Sequence, residues 1–298
     1  MDELIRLIEA GADAIQIGDP RFGMRLSGHF PVEELGQAVK AAHERGARVY
    51  VVCNNIMDNA ILPQLPDYLK QVQEAGADAI VFGDPAVLIA MKQAGVSLPL
   101  HWNAEMTSTN YVTANYWGTK GAVRVVLARE LNMDQVLEFK NNAKLEVQVQ
   151  VHGMTNIYHS KRALVSNYFV HQGQDPTDAN LSQDRKLFLI EEERQDERFP
   201  VYEDRNGTHI MSSDDVCMVE NMQELLEAGI DSFKIEGLLK PIEYTETVVR
   251  CYRATIDAYM ADPEGFEFDE EQWLEPIRAL QHPERELSFG FFYKEQVY

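Results

Sequence analysis

Ala10-Gly-Ala-Asp-Ala-Ile-Gln-Ile-Gly-Asp-Pro20 is a stretch that occurs twice in this chain, the second time as Ala75-Gly-Ala-Asp-Ala-Ile-Val-Phe-Gly-Asp-Pro85. A weaker copy, Ala228-Gly-Ile-Asp-Ser-Phe-Lys-Ile-Glu-Gly237, follows later in the chain. In each copy a helical segment ends at a glycine, an aspartate makes a turn, and the apolar run that follows is typical of a short buried strand. The repeat therefore predicts a helix-to-strand unit that is used three times.

Further strand-like runs lie between these copies and alternate with amphipathic stretches. The runs cover residues 48–53, 98–103, 123–128 and 146–152, and the helical stretches cover 32–45, 64–75 and 131–140. Strands that alternate with helices usually pair in parallel. The predicted fold class is therefore α/β, with the strands arranged as a TIM-like (β/α) barrel.

The count of strands leaves the predicted barrel incomplete. The repeat and the further runs give seven strands, one fewer than the eight that close such a barrel, and the chain opens on a predicted helix, Asp2 to Ala10. We expect an incomplete or missing first strand: either the native gene start lies upstream of Met1, or a C-terminal segment, 288–292, fills the gap. An open, doubly wound sheet shows the same alternation and is the alternative.

A polar, charge-rich region interrupts the alternation in the middle of the chain. We predict a barrel formed by residues 1–153 and 216–262, with residues 154–215 inserted as a subdomain over its C-terminal mouth. Asn206-Gly207 lies between two runs of alternating apolar residues, which predicts a β-hairpin. Residues 263–298 are expected to form an acidic linker and an aromatic C-terminal tail.

Composition restricts the class of protein. The chain has 298 residues, of which 45% are hydrophobic, and this is enough for one barrel-sized core. No apolar run has membrane-spanning length and no signal peptide is evident, so we expect a cytoplasmic protein that makes no membrane contact. Lysine and arginine total 27 against 48 aspartates and glutamates, which gives a net charge of −21. Because such a chain repels polyanions, binding of nucleic acid would require a local basic patch or another subunit.

The cysteines argue against a disulfide or zinc scaffold. Cys53, Cys217 and Cys251 are far apart and form no CxxC pair, so we expect reduced thiols. Alternation along its strand places Cys53 toward the helices. The GxSxG and HExxH signatures of hydrolases are also missing from the sequence, and no metal site is predicted.

Functional residues of a β/α barrel lie where its strands end. In the run 147–152 the valines form one face, which leaves Gln148, Gln150 and His152 pointing into the barrel, with the histidine at the mouth. A hydrogen-bonded core histidine explains His152 as well as a ligand contact does.

A charged pair is predicted at the end of the last strand. In the run 232–237, alternation turns Phe233 and Ile235 outward and places Lys234 and Glu236 inside. An inward lysine–glutamate pair is costly unless it is used or well paired. We therefore favour a functional role for these two residues over a structural one.

Other strand ends contribute further polar side chains. His101, Asn103 and Glu105 share one face of their strand, and Arg129 follows the next strand. Arg25, in the loop after the first strand, has a guanidinium group suited to binding a carboxylate. No catalytic residue is assigned. The predicted substrate-binding set is Arg25, Asn54, His101, Asn103, Glu105, Arg129, Glu130, His152, Lys234 and Glu236.

Several motifs in a fixed order resemble one known family. Glu146-Val-Gln-Val-Gln-Val-His-Gly153 resembles a Glu-x-Phe-x-His-Gly element, and Val126-Leu-Ala-Arg-Glu-Leu131 resembles Leu-Ser-Arg-Glu-Leu. Asp215-Val-Cys217 and Lys234-Ile-Glu-Gly237 are similar to two later elements. The likeness runs from about residue 9 to the aromatic tail, and the family is peptidase family U32, the collagenase-like proteases.

The resemblance implies chemistry that the family name does not suggest. Better understood relatives are oxygen-independent hydroxylation proteins that act on RNA bases or quinone precursors, some drawing on prephenate and several carrying a [4Fe-4S] cluster. Relatives have cysteines soon after the His-Gly element, where this chain has Asn156 and Ala163, so that only Cys217 remains. Neither replacement can serve as a thiolate ligand of iron, and a cluster is therefore not expected here. Relatives also continue with arginine where this chain has Leu238-Leu239.

Short, cysteine-poor members of this family resemble partners of a longer, cysteine-bearing paralogue in hydroxylation of the wobble uridine of tRNA. The leading hypothesis is therefore a cluster-free subunit of a prephenate-linked tRNA hydroxylation pair, which contacts tRNA through the complex. One alternative is a collagenase-like peptidase, which would need an activated nucleophile or a metal-bound water that the sequence does not reveal. The other alternative is a barrel that binds a small dicarboxylate without catalysis of its own.

Overall fold

The computed structural model describes residues 1–103, 109–176, 181 and 186–295 and has a mixed α/β fold. The strands are β1 (Ala14–Ile17), β2 (Arg48–Cys53), β3 (Ala79–Phe82), β4 (Leu100–Asn103), β5 (Ala122–Val126), β6 (Glu146–Gly153), β7 (Asn156–Ser160), β8 (Phe188–Leu189), β9 (Phe199–Asp204), β10 (Gly207–Met211), β11 (Asp215–Cys217), β12 (Ser232–Ile235) and β13 (Leu287–Ser288). The helices are α1 (Asp2–Glu9), α2 (Val32–His43), α3 (Leu65–Glu74), α4 (Ala86–Ala94), α5 (Tyr111–Gly118), α6 (Met133–Asn142), α7 (Leu164–His171), α8 (Met222–Glu227), α9 (Ile242–Ala261), α10 (Glu270–Trp273) and α11 (Glu275–Leu280). None of the helices in these ranges has the length and apolar composition that crossing a membrane requires.

The central sheet is mostly parallel. Strands β1 to β6 pair in chain order, and β12 pairs in parallel with β6. β11 joins the end of β6 in the antiparallel direction, and β13 pairs with β11. The predicted α/β class with a parallel sheet is confirmed. A doubly wound sheet reverses its strand order, so the sequential order argues against that alternative.

Strands β1 and β12 are the two edges of the parallel part of the sheet. Within the described ranges no strand pairing joins them, and closure into a barrel stays a prediction. The prediction that segment 288–292 fills the gap is wrong. β13 pairs with β11 instead, and the carbonyl of Phe292 accepts a hydrogen bond of 2.8 Å from the Met133 N–H, because the tail follows the β6 side of the sheet.

Each copy of the sequence repeat forms the predicted helix-to-strand unit. α1, α3 and α8 end just before Gly11, Gly76 and Gly229, whose φ angles are 114°, 82° and 69°. Positive φ is the conformation that glycine adopts at low cost, and it turns the chain out of each helix. β1, β3 and β12 begin within three residues of these glycines.

The sheet separates two apolar layers of unequal size. Val147, Val149 and Val151 of β6 pack in the large layer against the helices, and Cys53 lies there too, as predicted. The small layer on the opposite face is built on Tyr50, Val52, Ala79 and Val81. Much of that face is polar. Side-chain contacts connect Tyr50 of the small layer and five polar residues: Gln16, His101, Arg124, Gln148 and Ser232. This polar part of the face leaves room for a cavity.

A second sheet, in the order β7-β10-β9-β8, is formed by the region between β6 and β11. The predicted hairpin is confirmed: β9 and β10 pair in the antiparallel direction around a two-residue turn, Arg205-Asn206. The Asn206 amide donates to the carbonyls of Pro20 (3.1 Å) and Gly23 (3.3 Å) and so holds the hairpin against the loop after β1. The division into domains at residues 153 and 216 stays a prediction.

A buried ion cluster attaches the C-terminal region to the sheet. The Asp215 carboxylate is fully buried and accepts hydrogen bonds from Lys240 (2.5 Å), Arg285 (2.9 Å) and Gln281 (2.6 Å). Burial alone would raise the pKa of Asp215, but the charges of Lys240 and Arg285 lower it to about 2. The carboxylate is therefore ionised and compensates two cations in the interior.

Asp215→Asn should destabilise the fold by about 3 kcal/mol, because it leaves the buried Lys240 ammonium without its counter-charge. Since the folded-state pKa is depressed, the contribution of Asp215 is present above its ordinary value of 3.8 and is lost as the pH falls toward about 2. Urea unfolding at neutral and acid pH measures both effects. Asp13→Asn is the matched control, because the Asp13 side chain is exposed where it pairs with Arg253, and it should change little. Equal stability of the two variants would contradict this account.

Candidate ligand-binding cavity

A cavity of about 1010 Å³ opens at the carboxyl ends of the parallel strands and extends along the gap between β1 and β12. Loops after several strands meet there because parallel strands end on the same side of the sheet. Part of the predicted substrate-binding set lines this cavity: Arg25, Asn54, Asn103, Arg129, Lys234 and Glu236. The cavity is the candidate functional site.

Lys234 and Glu236 form an ion pair at the end of β12. The Lys234 Nζ lies 3.2 Å from the Glu236 Oε2, and both side chains are largely buried. Glu236 Oε1 also accepts hydrogen bonds from the Ser27 hydroxyl (3.3 Å) and the Leu238 N–H (3.1 Å). The structure therefore places these two residues inside, as the alternation predicts, and the glutamate links β12 to the loop after β1.

Arg25 is held in an unusual backbone conformation at the cavity. Its φ of 53° lies in the left-handed region, which costs a non-glycine residue about 1 kcal/mol. The side chain oxygen of Asn54 accepts the Met24 N–H at 2.8 Å and fixes the loop just before Arg25. The guanidinium of Arg21, by contrast, is bound to Asp19 of its own loop. A strained arginine that lines a cavity is a reason to expect a ligand contact.

Asn103 and Arg129 reach the cavity from neighbouring strands. Asn103 is the last residue of β4, and Arg129 follows β5. Glu130, the next residue, is exposed and does not line the cavity. Glu105 lies outside the described residues. The amide and the guanidinium give the β4–β5 side of the cavity a hydrogen-bonding and positively charged character.

His152 does not point into the cavity, which corrects the expectation from alternation. Its Nε2 lies 2.8 Å from the Tyr244 hydroxyl, and its Nδ1 lies 3.5 Å from the Tyr252 hydroxyl, both on α9. The register between β6 and β12 shifts at this point, so that His152 pairs with Ile235 and Val151 is skipped. Such a bulge reverses the alternation, and the histidine turns toward the helices. Burial lowers its pKa to about 3, so the ring is neutral.

His101 lies deeper in the sheet than the cavity. Its ring packs edge-on against Tyr50 at 4.6 Å, and it precedes Asn103 by two residues in β4. Burial lowers the pKa of His101 to about 3, with a further contribution from the nearby charge of Arg124. His101 is therefore buried in the polar interior of the sheet and does not line the cavity.

Several residues of the cavity wall are absent from the predicted substrate-binding set, although alternation predicts that one of them, Gln148, points inward. Gln148 donates to the Ser232 hydroxyl at 2.7 Å and accepts from the Gln16 amide at 3.4 Å, which joins β6 to β12 and to β1. Alternation along β1 and β12 could have predicted Gln16 and Ser232, because both lie on the inward-facing side of their strands. Lys240 also lines the cavity, but its ammonium is bound to Asp215.

The residues at the expected cluster positions do not fit an iron–sulfur cluster. Asn156 begins β7 and carries an amide, and Ala163 precedes α7 and carries only a methyl group. Cys217 is buried in β11, and burial raises the pKa of its thiol to about 11. Iron in such clusters requires several thiolates, which this arrangement does not supply.

The chain is similar in sequence to known proteins over nearly its whole length. The chain is 48% identical over 296 residues to tRNA hydroxylation protein P2 of Bacillus subtilis, with 99% of this chain and 96% of that protein covered. It is 31% identical to tRNA hydroxylation protein P1 of the same organism, covering 100% of this chain and 71% of that protein. A solved structure, the U32 peptidase Mk0906, is 17% identical, with a TM-score of 0.42 over 51% of this chain and 65% of that one. Residues 1–297 match Peptidase family U32, and the chain therefore belongs to that family.

Proposed function

We propose that this chain is a subunit of a tRNA hydroxylation system that binds a small anionic co-substrate in the cavity. The observation that carries the proposal is the convergence of three cationic side chains, Arg25, Arg129 and Lys234, on one cavity at the carboxyl ends of the strands. Relatives named P1 and P2 occur together in one organism, which supports a paired system. Their names support tRNA as the substrate of the pair.

The co-substrate that fits the cavity is a small dicarboxylate such as prephenate. Guanidinium groups bind carboxylates through two parallel hydrogen bonds, so Arg25 and Arg129 would each take one carboxylate. Glu236 already balances the charge of Lys234. Lys234 would therefore orient the ligand by a hydrogen bond and contribute little to balancing its negative charge. Asn54 and Asn103 would provide uncharged hydrogen bonds to a hydroxyl or carbonyl of the same ligand.

The redox centre, in this proposal, belongs to a longer, cysteine-bearing paralogue. Asn156 and Ala163 cannot replace thiolates, and the Cys217 thiol is protonated because burial raises its pKa to about 11. The paralogue would also supply most of the RNA contact, since a net charge of −21 opposes binding of a polyanion to this chain alone. No observation on the described residues favours the peptidase alternative.

Calorimetry with prephenate tests the cavity directly. We expect binding by the wild-type chain, and Arg129→Ala should weaken it by about tenfold or more, because a hydrogen bond to a charged group contributes roughly 1.5–3 kcal/mol. Arg278→Ala is the control: this exposed arginine pairs with Glu270 and Glu275 outside the cavity, and its loss should leave binding unchanged. If no heat of binding is measured at about 1 mM prephenate, the proposed dicarboxylate site is rejected.

Deletion of the gene followed by mass spectrometry of tRNA nucleosides tests the role in hydroxylation. We expect 5-hydroxyuridine derivatives to fall, and a plasmid copy of the wild-type gene or of Arg278→Ala to restore them. Arg129→Ala should restore them poorly, because the cavity loses one of its cations. Unchanged nucleoside levels after removal of both this gene and its paralogue would refute the proposed function.

A further inference from the structure

Three basic residues come together at one end of the second sheet. β7 ends at Ser160, which pairs with Thr208 of β10, and the Thr208 hydroxyl donates to the Arg162 carbonyl at 2.8 Å. The turn between β9 and β10 contains Arg205 and lies at this same end. We call these three residues, Lys161, Arg162 and Arg205, the hairpin cluster.

The carboxylates around the hairpin cluster are already engaged. Glu203 accepts hydrogen bonds from the first turn of α7, including the Val165 N–H at 3.0 Å. Asp204 lies 3.1 Å from His209, and Asp58 lies 3.4 Å from Lys161. Of these three carboxylates, only Asp58 forms an ion pair with a member of the hairpin cluster within the described residues.

Arg162 and Arg205 differ from most arginines of the chain. Both are exposed, and neither guanidinium has an ion-pair or hydrogen-bond partner within the ranges that the structure describes. Exposed arginines elsewhere, such as Arg194, Arg250 and Arg278, are paired with carboxylates. The chain as a whole has a net charge of −21, so two neighbouring arginines that form no ion pair within the described residues give this end of the second sheet a different character.

The hairpin cluster lies beside the cavity. Asn206, next to Arg205, donates to the carbonyls of Pro20 and Gly23 in the loop that continues to Arg25. Lys161 donates to the Ile56 carbonyl at 2.6 Å, in the loop after β2. A polymer bound to the cluster would therefore pass the loops that form the cavity mouth.

We infer that the hairpin cluster binds phosphates of an unpaired RNA loop and so presents a nucleotide to the cavity. The inference rests on the proposed function, for which it supplies the RNA contact of this chain. Arginine suits phosphate because its planar fork donates two hydrogen bonds to one group. Tyr158, in the same strand and 46% exposed, shares the face of Ser160 and offers a ring for stacking of an unpaired base. This ring favours a single-stranded loop over a duplex.

The test uses fluorescence anisotropy with a labelled anticodon stem–loop RNA, the full chain alone and the chain mixed with its paralogue, at several salt concentrations. For Arg162→Ala/Arg205→Ala, the slope of log affinity against log salt should decrease in magnitude by between about 1.4 and about 1.8, at ~0.7 to ~0.9 for each phosphate contact. Tyr158→Ala should weaken binding at least about fivefold and leave the slope unchanged, because stacking releases no counter-ion.

Lys120→Ala/Lys144→Ala is the matched control. It removes the same amount of charge from the loops before β5 and β6, at the opposite end of the parallel strands, and should preserve both affinity and slope. Arg162→Lys/Arg205→Lys should retain the wild-type slope, since it keeps the charge. This second variant separates a lost phosphate contact from a folding defect.

The inference is overturned if wild-type protein binds no stem–loop alone or with the paralogue, or if Arg162→Ala/Arg205→Ala keeps the wild-type slope. It is also overturned if the lysine control loses as much binding, or if a DNA hairpin binds as well as the RNA. These outcomes are independent of the nucleoside measurement. If deletion abolishes hydroxylation while the arginine variant binds normally, only the hairpin cluster loses its role.

Discussion

Parallel pairing of the strands in chain order is the constraint on which the rest of this structure depends. Because β1 to β6 and β12 all run the same way, the loops that follow them converge on one side of the sheet. Arg25, Arg129 and Lys234 are far apart in the sequence, yet they line one cavity for this reason. The valine face of β6 binds the sheet to the helices, which leaves the opposite face available for polar side chains.

Features set by neighbours in the sequence could be predicted, and features set by distant pairing could not. The glycine that ends each helix, the turn before Gly207 and the inward positions of Lys234 and Glu236 follow from local geometry and alternation. His152 departs from alternation because of a bulge, which exists only where β6 meets β12. The C-terminal segment differs from the prediction for a related reason: Arg285 binds Asp215 beside the β11–β13 pairing, and no local pattern encodes these contacts.

The charges of the cavity have different roles although they lie close together. Lys240 lines the space, but its ammonium belongs to the buried cluster around Asp215 and stabilises the fold. Lys234 is balanced by Glu236. Arg25, with its strained backbone, lines the cavity from the loop after β1, and Arg129 lines it from the loop after β5. Leu238 packs against Met154, Tyr202 and Met211 and thereby supports the second sheet.

The cavity does not stop at the carboxyl ends of the strands but continues along the gap between β1 and β12. Its wall includes Ala14 and Ile17 on one edge and Ser232 and Ile235 on the other, and it continues to Arg48 at the amino end of β2. In the proposed function, a macromolecule lying across the mouth covers only the carboxyl-end part of this space, and the part along β1 and β12 stays available to a small co-substrate.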